Sequence, residues 1–243
     1  MSPPKVRCEP FGDDALIVTL VGEDGDVIDV ELNRRVHLLA GSLLRLRDAD
    51  PRLGRPVAGF STVLVPYDPL EMDAADAGAL VAPLAEAAAA AEVPGAADDP
   101  ARTVTISVRY GGPDGPDLVE VAAATGLHPA DVVEIHAGPT YRVFMLGFAP
   151  GFAYLGPLPE ELAVPRRATP RERVPAGSVA IAGRQTAVYP FATPGGWRLI
   201  GRTDRRMWDI ERASPSMLRP GDTVRFEPVR GASRGASRDP FVG

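Results

Sequence analysis

Residues 144–156 read FMLGFAPGFAYLG, a short apolar stretch cut repeatedly by Gly and Pro. The same texture begins at Pro139 and continues past residue 220. Apolar runs recur at residues 142–148, 178–182, 187–189, 197–200 and 223–226, each bounded by turn residues. Many short strands punctuated in this way predict a β-barrel or sandwich.

Immediately upstream the pattern is helical. Asp117 is placed to cap a first short helix, with Glu120 three residues on in capping-box register and Gly126 as its stop. A second helix over 129–137 opens with Pro129, carries His136 in its last turn and ends before Gly138. Further back, residues 15–21 (ALIVTLV) read as a buried strand. Residues 30–46 read as an amphipathic helix, with Leu32, Val36, Leu39, Leu43 and Leu46 at spacings of three and four. Residues 57–66 read as one strand or a hairpin. Residues 74–93 read as an alanine-rich helix, bent or broken at Pro83, and 102–109 (RTVTISVR) as an alternating strand. This order predicts a small α+β sandwich over residues 1–100, with a ferredoxin-like arrangement. PGAADDP at 94–100 reads as the linker to a second domain over 101–230. The repeated Gly-Ala-Ser-Arg of 231–238 predicts a disordered tail to residue 243. The fold class is α+β.

Composition narrows the chemistry. The 243 residues are 45% hydrophobic and 24% charged, as in ordinary globular proteins. No window of about 18 apolar residues is free of charge and Pro, and the N-terminus has no apolar signal core. No membrane association and a cytoplasmic location are expected. Cys8 is the one cysteine, which excludes an internal disulfide and a thiolate metal cluster. Lys5 is the one lysine among 26 basic residues. Schiff-base chemistry, a phosphate-loop lysine and biotin attachment each need a lysine in a structured context, so ATP handling falls to a partner. Residues 1–100 carry 8 basic and 18 acidic side chains, a net of −10, while 101–243 carry 18 and 14, a net of +4. The C-terminal part suits an anionic small molecule or an acidic partner. No basic run is interleaved with stacking aromatics, so nucleic acid is not expected.

Four strings stand out: FMLGFAPGFAYLG at 144–156, PRRATPRERVPAGSVAIAG at 165–183, RQTAVYP at 184–190 and TPGGWRLIGRT at 193–203. Together they closely resemble the B-subunit family of bacterial 5-oxoprolinase. That family is also called allophanate hydrolase subunit 1, and it includes the inhibitor of sporulation kinase A. GDDALIV at 12–18, ELNRRV at 31–36, YGGPDGPDLVEVA at 110–122 and IHAGPTYRV at 135–143 look like the same family. The resemblance implies a small α+β domain followed by a cyclophilin-like β-barrel. It also implies two partners, a larger C-type subunit of related barrel architecture and an A-type protein. The activity it implies is ATP-driven opening of the 5-oxoproline lactam to glutamate. A histidine-kinase inhibitory protein and a carboxyltransferase partner acting on urea-like substrates are the alternatives. The chain departs from the family at Ala149, usually Thr, and Ala153, usually Pro. It also reads Gly183-Arg184-Gln185-Thr186-Ala187 where Gly-Gly-Gln-Thr-Gly is usual.

The candidate site residues follow from chemistry. His136 is the natural general base near neutrality, or else a helix-terminal histidine bonded to free carbonyls. Arg171, Arg173 and Arg202 present forked donors suited to a carboxylate or acyl phosphate, or brace loops. Ser178, Gln185 and Thr186 offer hydroxyl and amide groups for a small anionic or amide substrate. Three scattered histidines without metal-ligand spacing give no metal site. Gly147, Gly151, Gly177, Gly183, Gly195 and Gly196 read as barrel turns or as backbone lining an anion pocket. Phe152 and Trp197 read as core or interface anchors.

Overall fold

A computed structural model of the chain describes residues 3–23, 28–93 and 102–229. The N-terminal part runs β1 (Lys5–Pro10), β2 (Ala15–Val21), α1 (Val30–Ala49), β3 (Val57–Ala58), β4 (Thr62–Pro66) and α2 (Ala74–Ala90). Its sheet has the order β1-β2-β4-β3, with every neighbour antiparallel. Leu16, Val18 and Leu20 alternate with half-buried neighbours along β2, so one face of the sheet is apolar. Helix α1 lays Leu32, Val36, Leu39 and Leu43 on that core, and α2 adds Ala77, Val81 and Ala85. Asp29 starts α1 by accepting from the Glu31 and Leu32 amides at 2.7 and 3.0 Å. Of the expected bend or break at Pro83 the break does not occur, since α2 is continuous from Ala74 to Ala90.

The ferredoxin-like chain order expected for this part is not the one observed. The strand expected to close it, at 102–109, belongs to the barrel, and the place beside β2 is filled from the N-terminus by β1. Strand β1 escapes the sequence pattern because KVRCEP reads as an exposed, charge-bearing edge.

The C-terminal part contains β5 (Thr103–Tyr110), α3 (Leu118–Thr125), α4 (Pro129–Ala137), β6 (Thr140–Leu146), β7 (Ala153–Gly156), β8 (Arg171–Val174), β9 (Ser178–Ala182), β10 (Gln185–Val188), β11 (Thr193–Gly195), β12 (Arg198–Arg202) and β13 (Thr223–Pro228). Seven strands close a barrel in the order β10-β7-β6-β13-β5-β12-β9. The β13–β5 pair is parallel and the other pairs are antiparallel. Ile106, Val143, Leu155, Val179, Ile181, Ile200 and Phe226 fill it, and α3 and α4 add Val121 and Val132 to the same core. Strands β8 and β11 form a separate two-stranded ribbon. The linker at 94–100 and the tail at 231–243 lie outside the described residues.

Asp117 starts α3 but makes no side-chain cap. Its carboxylate turns instead to arginines, so the expected capping box does not form. Gly126 does end the helix, in the left-handed conformation expected of it.

The two parts meet along α1 and β6. The Asn33 amide donates to the carbonyls of Gly59, Phe60 and Phe144 at 3.2, 2.9 and 3.3 Å. His37 Nε2 donates to the same Phe144 carbonyl at 2.8 Å, and the Phe60 ring packs 5.4 Å from Phe144. Asn33 is fully buried, so its loss strands carbonyls away from water. Asn33→Ala should therefore destabilise the protein by about 2–3 kcal/mol. Urea unfolding measures this, and a change under about 0.5 kcal/mol, the size of an ordinary surface substitution, would show that these bonds do not hold the two parts.

Candidate functional site

The four unusual strings converge on one wall of the barrel. Strands β9, β10 and β12 are buried on both sides there. Val179, Ile181, Val188 and Ile200 point into the barrel, while Ala180, Ala182, Ala187 and Leu199 point outward. The small outward residues leave room for a second layer of Phe152, Tyr189 and Trp197. Phe152 meets Tyr154, Tyr189 and Trp197 edge to face, with centroids 5.0, 5.3 and 5.8 Å away. These rings, with Phe148, Arg166, Arg167, Pro170, Gly195 and Gly196, line a pocket of about 170 Å³. Gly195 is required: a Cβ there would stand 2.4 Å from the Tyr189 hydroxyl. Phe148 holds a positive φ of 66° and its ring is 62% exposed at the rim. Arg166 lies over Trp197 with its guanidinium carbon 6.0 Å from the ring centroid.

Beside this pocket an acidic anchor gathers the arginines. Asp117 is buried and accepts from Arg171 at 2.7 and 2.9 Å, from Arg167 at 3.2 Å and from the Leu199 amide at 2.7 Å. Arg198 pairs with Glu120. Arg171 thus braces β8 against α3 and β12. Arg173, two residues along the strand, is exposed and makes no ion pair among the described residues.

His136 is fully buried and cannot serve as the expected general base. The Thr186 hydroxyl donates to the Ala180 carbonyl at 3.1 Å, so its oxygen accepts from His136 Nε2–H at 2.9 Å. Nδ1 is left as the acceptor for the Tyr110 hydroxyl at 2.7 Å. Both ring nitrogens are therefore occupied by a satisfied chain running from Tyr110 to Ala180. Tyr141 and Phe226 pack on the ring at 5.5 and 4.7 Å. Burial pushes the imidazole pKa down to about 3 and keeps it neutral. Thr186 is committed to the same chain. Ser178 is buried on β9, opposite Arg202 of β12, and forms no pair with His136. Gln185 is half-buried at the start of β10.

Arg202 belongs to a second, open cleft of about 650 Å³, also lined by Gly177, Phe191, Arg205, Arg206 and Trp208. Arg202 Nε donates to the Ala176 carbonyl at 3.1 Å. Asp204, on the same wall, is drawn to Arg109, which holds its carboxyl below the usual carboxylate range. Asp209 pairs with Arg206 and Arg212. The expected site residues are therefore spread over three places rather than gathered in one. Among the described residues no group of His, Cys, Asp and Glu is placed to hold a metal ion, and no helix is long and apolar enough to cross a membrane.

Phe152 and Trp197 are the anchors that the sequence suggests, whereas Tyr154, Tyr189 and Arg166 carry no such mark. A signal was present all the same. The four strings each carry a ring or an arginine to one place, but only the fold shows that the place is shared.

The His136 chain yields a pH dependence. The folded pKa of about 3 lies below the ordinary 6.5. The unfolded state therefore takes up the proton first as pH falls. The contribution is complete above pH about 6.5 and is lost progressively as pH drops toward 3. His136→Gln, which cannot titrate, should lack this slope. Between pH 6.5 and 5 the wild type should lose about 2 kcal/mol more than the variant in urea unfolding. Equal losses would mean that the ring is not held neutral.

A family model described as "Carboxyltransferase domain, subdomain C and D" matches residues 6–218. The 5-oxoprolinase B subunit of Bacillus subtilis strain 168 is 38% identical over 233 residues, covering 91% of this chain and 92% of that protein. The protein of the same name from Escherichia coli O157:H7 is 58% identical over 129 residues, 53% of this chain and 59% of the relative. This second match thus spans under two thirds of that relative's length. The crystal structure of TTHA0988 superposes with a TM-score of 0.73 at 38% identity, covering 93% of this chain and 40% of the other. The chain belongs to the carboxyltransferase-domain family of subdomains C and D, the family of the 5-oxoprolinase B subunits.

Proposed function

We propose that this chain is the B subunit of an ATP-dependent 5-oxoprolinase, working with a larger C-type partner and an A-type partner in the cytoplasm. The observation that carries this reading is the near full-length likeness to the Bacillus subtilis protein of that name. The TTHA0988 chain extends well beyond the part matched here, which supports a second polypeptide region beside this one. The closed seven-stranded barrel supports the cyclophilin-like class, and separate buried cores support two folding units over 1–100 and 101–230.

The reaction to be served adds water to the lactam carbonyl carbon and breaks the ring C–N bond, releasing glutamate. An amide is a poor electrophile with a poor leaving group. Transfer of the ATP γ-phosphoryl to the amide oxygen makes the ring carbon electrophilic; water adds there, the ring nitrogen takes a proton and leaves as the amine, and a second water hydrolyses the resulting acyl phosphate to glutamate and phosphate. Lys5 is exposed on β1, away from both clefts, so no lysine serves phosphate here. Arg202, Arg205 and Arg206 fit an anionic group on the larger cleft by charge, with ATP bound by or together with a partner.

This chain alone should release no glutamate from 5-oxoproline and ATP. The same chain mixed with its C-type and A-type partners should do so, with one ADP formed per glutamate. Turnover by the isolated chain would overturn the shared-site reading. A folded three-protein complex without ATP-dependent glutamate release would overturn the activity.

A further inference from the structure

The aromatic pocket has two unmet groups at its walls, on Arg166 and Tyr154. Arg167, Arg171 and Arg198 are all matched to Asp117 or Glu120. Arg166 is not: it makes no ion pair among the described residues, and it lies over Trp197 at the pocket's edge. The Tyr154 hydroxyl has no hydrogen-bond partner among the described residues. Burial raises the pKa of Tyr154, so the group stays a neutral hydroxyl able to donate and accept. The Tyr189 hydroxyl, in contrast, is already engaged by the Trp197 amide.

Size limits the occupant. At about 170 Å³ the pocket lies below the about 300 Å³ at which drug-sized ligand sites begin. A nucleotide does not fit. Flat aromatic walls favour a small ring, the unpaired Arg166 guanidinium favours a carboxylate, and a free phenol favours an amide.

We propose that the pocket formed by Phe152, Tyr154, Tyr189 and Trp197 binds a small cyclic amide carrying a carboxylate, with the ring against the aromatic faces, the carboxylate toward Arg166, and the amide toward the Tyr154 hydroxyl. In the proposed function this ligand is 5-oxoproline, and that choice rests on the 5-oxoprolinase reading. Arg166 is then the residue that selects for the carboxylate. The larger arginine cleft is left for other anions.

The test is a titration of the full chain with 5-oxoproline, followed by NMR at the indole N–H resonances. The chain has two tryptophans, Trp197 in this pocket and Trp208 in the larger cleft, and Trp208→Phe assigns them. Saturable movement is expected at Trp197 and not at Trp208. Arg166→Gln should weaken binding about 10- to 100-fold, the size of a lost charge-assisted contact, without lowering the melting temperature of an exposed position. The neutral lactam 2-pyrrolidinone should bind wild type and Arg166→Gln alike. Arg205→Gln, on the other cleft, should bind as wild type. An unmoved Trp197 signal, or Arg166→Gln binding as tightly as wild type, overturns the proposal. The assembled complex separates the two readings. Turnover with an unchanged KM in Arg166→Gln removes this pocket and leaves the activity standing. Binding at Trp197 without turnover by the complex removes the activity and leaves the pocket.

Discussion

Burial of the β9-β10-β12 wall on both faces is the constraint on which the C-terminal half rests. Every residue of Ser178–Ala182 is buried. Its larger side chains, Val179 and Ile181, fill the barrel, and its alanines face out. A barrel wall normally shows one face to water. Here that face would be a bare alanine surface unless something covered it. The covering is the aromatic layer, with Val174 of the β8–β11 ribbon beneath it. Small residues on the wall and large rings above it are one packing solution, and changing either half would leave a void or an overlap. The pocket is the part of that layer which the rings do not fill.

The same segment explains what was legible in the sequence. A continuous apolar run such as SVAIA indicates a strand covered on both sides, and the barrel-like texture follows from several such runs between glycines. Helix α1 was legible because its apolar stripe keeps helical spacing over four turns. What covers the wall was not legible, since β8, β11 and the loop before β7 are short and far apart in sequence. Strand β5 joins the barrel instead of closing the first sheet for a related reason. Its alternation identifies a strand but says nothing about which sheet receives it, and pairing with β13 and β12 is set by residues about a hundred positions downstream.

Asp117 shows a local rule losing to tertiary charge. By sequence it caps a helix, a contact usually worth about 1 kcal/mol. In the fold it is buried beside two guanidinium groups and a backbone amide. A buried carboxylate left with only a cap would carry a large desolvation cost, so the paired arrangement wins. His136 shows the opposite case. Two readings were open, base or structural, and burial decides for the structural one. With Tyr110 and Thr186 at its two nitrogens, the ring joins α4 to β5 and β10 and has no proton site open to a ligand.

The charge asymmetry of the chain takes on meaning when followed residue by residue. Most of the C-terminal arginines near the pocket are not surplus. Asp117 and Glu120, both from the start of α3, pair with Arg167, Arg171 and Arg198, and this pins the ribbon and β12 to the helix. The two acids are consumed by structural arginines, so the cation that remains over the aromatic rings, Arg166, is not compensated from within. A guanidinium on a ring face keeps its donor edges free, because the ring takes the face and not the N–H groups. The local scaffold therefore commits its carboxylates to holding the wall together, and in doing so leaves one oriented cation facing the cavity that the wall creates.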